Sequence, residues 1–266
     1  MSIPKIIHYC WFGRNSKPEL ALKCIQSWKK YCPDYLIKEC NEDNFDIHSA
    51  PLYVQKAYEH KKWAFVTDYV RLKVVYDYGG IYLDTDVELL RPFDALIKNR
   101  AFMGCEGTDW VNTGLGFGAE AGFPVLYKNM TIYENIVPID EHGAFSSSPS
   151  PYYTTNMLKE MGVVFPIDQI TELSSGLVLY PNKYFNPYDW KNKKLSISPC
   201  TYSIHHYSGS WMTNTQKLSF YEQNTRCKIE RLFGEKAGKL YSFMFWNQKK
   251  HGGSGLLNSI CKRIMR

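Results

Sequence analysis

The sequence predicts an α/β fold with a largely parallel sheet. Two observations lead to this prediction. Short apolar runs alternate with helical segments along the first half of the chain, as in strand–helix–strand units. At 266 residues, with 44 % hydrophobic and 22 % charged residues, the chain also has the length and composition of a globular protein with a sizeable core.

The first half of the chain supplies strands and helices in alternation. An apolar run closed by Gly13 reads as the first strand, and Pro18 is a suitable residue to open the first helix. The clearest helix ends before Gly79-Gly80 and carries an apolar stripe at spacings of four, three and four. The predicted strands are residues 3–12 and 35–40, and the predicted helices are residues 18–31, 50–60 and 63–78.

The second half is predicted to add further strands, a helix and a basic tail. The apolar segments read as strands at residues 81–83, 101–104 and 201–207, and Pro124 opens a helix to about Asn135. Residues 146–151 read as a proline-punctuated loop. We divide the chain into a domain of residues 1–222 and a basic helical extension of residues 223–266.

The most informative motif is Asp84-Thr85-Asp86, which follows the apolar run Ile81-Tyr82-Leu83. The apolar strand is predicted to end in these two carboxylates, and because side chains alternate along a strand, Asp84 and Asp86 project to the same side. They repel each other there unless a cation or a proton lies between them. Oxygen ligands of this kind suit Mg²⁺ or Mn²⁺, ions that commonly hold phosphates. The motif therefore predicts a metal-dependent nucleotide or sugar-nucleotide site, although Asp-x-Asp also occurs in ordinary turns.

Asp68 and Arg71 lie three residues apart on the predicted helix of residues 63–78, so they can contact each other or one ligand. From spacing alone, a surface ion pair that contributes little is the simpler interpretation.

The cysteine pattern and the apolar segments exclude several classes. None of the eight cysteines forms a Cys-x-x-Cys pair, so a zinc ribbon or a thioredoxin-type site has no support. We find neither a signal peptide nor an apolar run long enough to span a membrane, and we expect a cytoplasmic protein. The net charge of +6 does not argue for nucleic acid.

The amphipathic tail is expected either to lie on the inner face of an anionic membrane or to dock as a helix.

Four motifs between residues 3 and 211 occur in a characteristic order. They are Ile3-Pro4-Lys5-Ile6-Ile7-His8-Tyr9-Cys10-Trp11-Phe12-Gly13, Asp68-Tyr69-Val70-Arg71, Gly79-Gly80-Ile81-Tyr82-Leu83-Asp84-Thr85-Asp86 and His205-His206-Tyr207-Ser208-Gly209-Ser210-Trp211. Together they resemble glycosyltransferase family 32, which includes bacterial capsular polysaccharide and lipopolysaccharide glycosyltransferases, and more distantly the glucosyltransferase domains of clostridial toxins.

The resemblance implies a GT-A fold and a UDP-sugar donor. By matching, Asp86 is a direct ligand of Mn²⁺ or Mg²⁺, and Asp84 contacts both the metal and the sugar or ribose. Trp11 stacks on the uracil, with Tyr9 in the same part of the donor site, and Tyr82 lies beside the ribose and diphosphate. Asp68 and Arg71 hold hydroxyls of the donor sugar.

The late histidines are assigned by the same resemblance. His206-x-x-Gly209-x-Trp211 has the spacing of a metal-binding histidine followed by a tryptophan that closes over the diphosphate, so His206 is the favoured ligand and His205 the reserve. Ser210 and Trp211 assist the diphosphate, and Asn112 is a weaker candidate for the acceptor side.

The resemblance thus implies a retaining, metal-dependent hexosyltransferase acting on a glycan or a lipid-linked oligosaccharide in bacterial surface polysaccharide synthesis. A metal-dependent phosphohydrolase is one alternative, but it needs a water-activating base or a second metal site. A non-catalytic carbohydrate-binding module is another. A protein acceptor is a further possibility within the transferases.

Overall fold

The computed structural model describes residues 2–139, 145, 148–189 and 194–209, together with residues 218–219, 222, 225–226, 229–230, 232–246 and 248–249. The chain divides into two compact units, residues 1–208 and 209–266. In the second unit, residues 235–246 are helical. No helix among the described residues is long and apolar enough to cross a bilayer.

The first unit is built on one mixed sheet, which confirms the predicted α/β class. The strands are β1 (Ile6–Cys10), β2 (Leu36–Cys40), β3 (Gly80–Tyr82), β4 (Val87–Leu89), β5 (Ala101–Glu106), β6 (Trp110–Val111), β7 (Phe117–Ala119), β8 (Thr171–Glu172), β9 (Leu177–Tyr180), β10 (Tyr188–Asp189), β11 (Lys194–Leu195) and β12 (Ser203–His205). The main sheet has the order β2-β1-β3-β7-β5-β9-β8, with β6 paired to β5. β10 pairs with β11, and β12 pairs with β4.

The sheet is parallel in two blocks. β1 runs parallel to β2 and β3, and β5 runs parallel to β9. β7 lies between the blocks and is antiparallel to both β3 and β5. A sheet described from sequence as largely parallel is thus interrupted by the reversed strand β7, and β6 and β8 are also antiparallel to their neighbours. Because the carboxyl ends of β1, β3 and β5 meet at one edge of the sheet, the loops that follow them lie close together.

The helices are α1 (Glu19–Tyr31), α2 (Leu52–Glu59), α3 (Trp63–Tyr78), α4 (Pro124–Glu134), α5 (Ser150–Glu160) and the short α6 (Asn182–Phe185). The predicted helix of residues 63–78 is found with the same bounds. It is buried on more than the predicted stripe, since Val66, Val70, Val74 and Val75 are also buried. α5 is a helix that the sequence interpretation missed, because it begins at Ser150 inside the segment predicted as a loop.

Hydrophobic residues on both faces of the sheet form the core. All six cysteines in the described part of the chain are free thiols.

Candidate nucleotide-sugar site

Asp84 and Asp86 lie in the turn between β3 and β4. The expectation that both stand on one strand is wrong, because β3 ends at Tyr82. The turn is closed by the Val87 N–H, which donates to the Asp84 carbonyl at 3.0 Å, and the Asp84 N–H donates to the Gly114 carbonyl at 3.2 Å. The carboxylates nevertheless converge, and their ligand atoms lie with one of His205 within 4.8 Å of one another.

The histidine at this turn is His205. β12 pairs antiparallel with β4, and His205 stands opposite Val87. Its Nε2 lies 3.0 Å from Asp86 Oδ1, whereas His206 Nε2 lies 2.8 Å from Glu88 Oε2. The assignment that favoured His206 is therefore corrected: the reserve residue is the one placed at the carboxylate pair. The reason is the alternation of side chains along an extended segment, which sends neighbouring histidines to different partners.

The two carboxyl groups have opposite electrostatic environments. Burial raises the pKa of Asp86, but His205 and the Ser208 N–H, which donates to Oδ2 at 2.8 Å, outweigh it and hold that pKa well below its usual range. Burial and the neighbouring Asp86 charge raise the pKa of Asp84, against the lowering effect of Arg71. Burial lowers the pKa of His205, but the hydrogen bond and charge of Asp86, together with the charges of Asp84 and Glu106, raise it above its ordinary value. Two carboxylates and an imidazole within reach of one point fit a divalent cation.

Arg71 connects Asp84 to α3. Its Nη2 lies 3.0 Å from Asp68 Oδ1 and 3.3 Å from Asp84 Oδ1, and Asp84 Oδ1 also accepts a hydrogen bond of 3.0 Å from the Tyr82 hydroxyl. The guanidinium lies 5.1 Å from the centre of the Tyr82 ring. Asp68 and Arg71 are only 7 % and 4 % exposed, so the interpretation of a surface ion pair is wrong. Burial raises the pKa of Asp68 to about 6 even though Arg71 opposes the shift.

Gly114 packs directly against the Asp84 carboxylate. A Cβ added to this glycine would lie 2.3 Å from Asp84 Oδ2, and 3.1 Å from both Arg71 Nη1 and Asn112 Oδ1. The segment after β6 therefore packs closely against one side of the Asp84 carboxylate, and Gly114 permits this contact because it has no side chain.

Tyr9 and Trp11 lie at the carboxyl end of β1. The Tyr9 hydroxyl donates to Glu39 Oε2 at 2.5 Å, and Trp11 Nε1 donates to the Asn15 carbonyl at 2.7 Å. Lys17 Nζ lies 5.7 Å from the centre of each ring. Trp11 is partly exposed, whereas Tyr9 is buried.

The remaining predicted residues divide into two groups. Ser210 and Trp211 lie outside the described residues. Asn112 is described and lies next to Gly114, to whose N–H its Oδ1 accepts a bond of 2.7 Å. Its Nδ2 donates to Glu106 Oε2 at 2.7 Å. Sequence reasoning missed Glu106, although an acidic residue directly after the apolar run 101–105 follows the same logic as Asp84 after β3.

Comparison with known proteins shows what this site resembles. Residues 18–103 match the family model described as "Glycosyltransferase sugar-binding region containing DXD motif". The protein named uncharacterized glycosyltransferase L373 of Acanthamoeba polyphaga mimivirus is 25 % identical over 252 residues, which cover 84 % of this chain and 89 % of that protein. Inositol phosphoceramide mannosyltransferase 1 of Schizosaccharomyces pombe is 26 % identical over 144 residues, which cover 47 % of this chain and 41 % of that protein. The solved structure of PaToxG glycosyltransferase is 18 % identical with a TM-score of 0.47, over 60 % of this chain and 70 % of that one.

These matches support the prediction of a glycosyltransferase. The chain spans about two fifths of the length of the fission-yeast relative, and the matched family region contains Asp68, Arg71, Asp84 and Asp86. The structure confirms an α/β fold in which the DXD turn follows a strand of a mixed sheet, and the GT-A type stays a prediction.

Proposed function

We propose that the chain is a retaining, metal-dependent glycosyltransferase that transfers a hexose from a UDP-sugar to a glycan or a lipid-linked oligosaccharide. The observation that carries the proposal is the convergence of Asp84, Asp86 and His205 beside the buried Arg71–Asp68 pair. Retention at the anomeric carbon, and membership of glycosyltransferase family 32 with its distant likeness to the clostridial toxins, rest on the sequence motifs.

Asp84, Asp86 and His205 would hold Mn²⁺ or Mg²⁺. Such a cation, when bound, neutralises the charge that develops on a departing diphosphate. The protein prepares the three side chains for this role. The Ser208 N–H fixes Asp86, and the Tyr82 hydroxyl and Arg71 fix Asp84 Oδ1. Because Arg71 is buried and paired with two carboxylates, its positive charge also offsets the repulsion between Asp84 and Asp86.

The donor is proposed to extend from the carboxyl end of β1 to the DXD turn. Trp11, partly exposed, would stack on the uracil, with Tyr9 in the same part of the donor site. Asp68 and Arg71 would act on the donor sugar, and Ser210 and Trp211 on the diphosphate. Tyr82 is buried, so we revise its role from ribose contact to orientation of Asp84.

The proposed reaction breaks the bond between the anomeric carbon and the oxygen of the β-phosphate. The acceptor hydroxyl oxygen forms the new bond to the same face of that carbon, and its proton passes to the departing diphosphate oxygen. No covalent intermediate is needed, and the products are the α-glycoside and UDP.

A role in bacterial capsule or lipopolysaccharide synthesis is proposed from the family resemblance. In that setting the acceptor lies at a membrane, and the tail would contact that membrane.

Residues 223–266 carry ten basic and two acidic side chains, against 22 basic and 24 acidic in residues 1–222. On the described helix of residues 235–246, Leu240 and Met244 lie four apart, 53 % and 36 % exposed, beside Lys236 and Lys239. Exposed apolar and cationic side chains on one helix suit an anionic bilayer surface.

The membrane contact is tested by sedimentation of the full chain with vesicles. We expect binding to vesicles that contain phosphatidylglycerol, weakening with salt, and little binding to pure phosphatidylcholine. The double variant Lys236→Glu/Lys239→Glu should weaken vesicle binding by more than twice the effect of the single surface control Lys98→Glu. Equal effects per charge, or no binding, would remove the tail from the proposal.

The transfer proposal is tested with a panel of nucleotide sugars, with and without Mn²⁺, comparing the wild type with Asp86→Asn. Metal-dependent turnover of one UDP-sugar that is lost in the variant supports the donor site. Transfer to an added glycan acceptor then separates a transferase from a phosphohydrolase, since both hydrolyse the donor. If no nucleotide sugar binds or turns over, the carbohydrate-binding module becomes the better description.

A further inference from the structure

Glu106 is a carboxylate at the site that has no role in the function described above. It ends β5 and is partly exposed. Its Oε2 accepts a hydrogen bond of 2.7 Å from Asn112 Nδ2. Among the described residues, Asn112 is the one hydrogen-bond partner of the Glu106 carboxylate, so Oε1 remains available as an acceptor.

Asn112 holds Glu106 in a fixed orientation. Its Oδ1 accepts from the Gly114 N–H at 2.7 Å, so the direction of its amide is determined and Nδ2 faces Glu106. The Asn112 N–H donates to the Gly104 carbonyl at 3.1 Å, which ties the residue to the same strand that carries Glu106. Asn112 is only 8 % exposed. Because it is buried, it supports Glu106 and does not itself contact an acceptor.

The Glu106–Asn112 pair adjoins the donor site. Asn112 Oδ1, Asp84 Oδ2 and Arg71 Nη1 surround one point, the place where a Cβ on Gly114 would lie. Glu106 is nevertheless outside the group of side chains that converge on one ligand point.

This inference rests on the proposed glycosyltransferase function. We propose that Glu106 binds a sugar hydroxyl at the transfer site and that Asn112 is the residue that positions it. An ionised carboxylate accepts hydrogen bonds and donates none, and sugar hydroxyls are the donors that a transferase brings to this edge of the sheet. The hydroxyl belongs to either the donor or the acceptor sugar, and kinetics separates the two.

The test compares wild type, Glu106→Gln and Asn112→Asp. Glu106→Gln keeps the size of the side chain and its bond with Asn112, but turns an amide N–H₂ toward the sugar. Asn112→Asp keeps the bond to the Gly114 N–H and replaces the donor to Glu106 by an oxygen. Each variant should lower kcat/KM for transfer by about 10- to 100-fold, the loss expected for one hydrogen bond to a charged group. The Kd values of UDP and Mn²⁺ should stay within about twofold of wild type, since the metal ligands are untouched.

Two readouts assign the hydroxyl. If hydrolysis of the donor and transfer fall together, Glu106 holds the donor sugar. If hydrolysis is unchanged and the acceptor KM rises, it holds the acceptor. The double variant Glu106→Gln/Asn112→Asp restores a donor–acceptor pair between the two residues, and should recover the melting temperature lost in Asn112→Asp without recovering the rate. Should Glu106→Gln fail to fold, Glu106→Asp takes its place in the comparison of kcat/KM with wild type. This variant keeps the charge but shortens the reach of the carboxylate.

Unchanged transfer kinetics in Glu106→Gln would overturn the inference, as would a loss of Mn²⁺ affinity equal to that of Asp86→Asn, which would make Glu106 a metal ligand. Both results require an active wild type. A wild type that turns over no nucleotide sugar would instead overturn the proposed function, and this inference with it.

Discussion

His205 Nε2 lies 3.0 Å from Asp86 Oδ1, although 119 residues separate the two in sequence. The contact exists because β12 pairs with β4, the strand that begins directly after the DXD turn. The same pairing brings the Ser208 N–H to Asp86 Oδ2. One carboxylate is thus held at both oxygens by a segment from the far end of the first unit, and the site depends on that two-stranded pairing.

The two adjacent histidines give the first prediction. His205→Gln should weaken Mn²⁺ binding by about 10- to 100-fold, the loss typical of damage to a metal site's ligands or their supports. His206→Gln is the matched control, since its ring lies on the exposed Glu88 and should leave Mn²⁺ affinity unchanged. Titration with Mn²⁺ in the presence of UDP measures both. A larger loss in the His206 variant than in the His205 variant would refute this placement.

The close approach of Gly114 to Asp84 gives the second prediction. Gly114→Ala places a methyl group 2.3 Å from Asp84 Oδ2, so the carboxylate or the segment must shift. Donor turnover should fall by about 100-fold, the effect of misplacing a site group by about 1 Å. Gly122→Ala is the control, because it strains the backbone at φ 72° but meets nothing within 4 Å. It should lower the melting temperature and leave turnover intact. Equal turnover in the two variants would mean that Asp84 tolerates displacement.

Much of the first unit follows from local sequence pattern, as α3 illustrates. Its bounds follow from the apolar spacing and the Gly79-Gly80 stop. What local pattern misses is tertiary in origin. The ion pair of Asp68 and Arg71 reads as a surface pair, yet it is buried because α3 is covered on several sides. α5 was missed because Ser150 and Pro151 are turn formers that here open a helix.

The metal-site histidine shows the same limit. The spacing His206-x-x-Gly209-x-Trp211 favours one histidine, but side-chain direction depends on how β12 pairs with β4, and a shift by one residue exchanges His205 for His206. Glu106 was missed for a related reason. The pairing of β5 with β6 brings Asn112 to Glu106, and local sequence pattern does not predict that pairing.

The third prediction concerns Trp11 as the platform for the base. Trp11→Ala should raise the Kd of UDP by about 5- to 150-fold, the range for loss of one base–aromatic stack, and Trp11→Phe should retain most of the affinity. The loss should be equal for UDP and for the UDP-sugar, because the base is common to both. Isothermal titration measures each Kd. A loss that appears with the UDP-sugar alone would place Trp11 at the sugar instead.

The last prediction concerns the pH dependence of stability through His8. This residue is buried in β1, and its Nε2–H donates to the Gly79 carbonyl at 2.9 Å. Burial lowers the pKa of His8 below its ordinary 6.5, Lys38 on β2 adds to the lowering, and the bond to Gly79 opposes it. The unfolded chain therefore takes up a proton before the native state does, so the stability is complete above about pH 6.5 and falls as the pH drops below it.

The free energy of unfolding of wild type relative to His8→Gln should decrease from pH 7 to pH 5 and stay level between pH 7.5 and 9, measured by urea denaturation. A difference that stays level below pH 6.5, or grows, would contradict a neutral His8 in the native state.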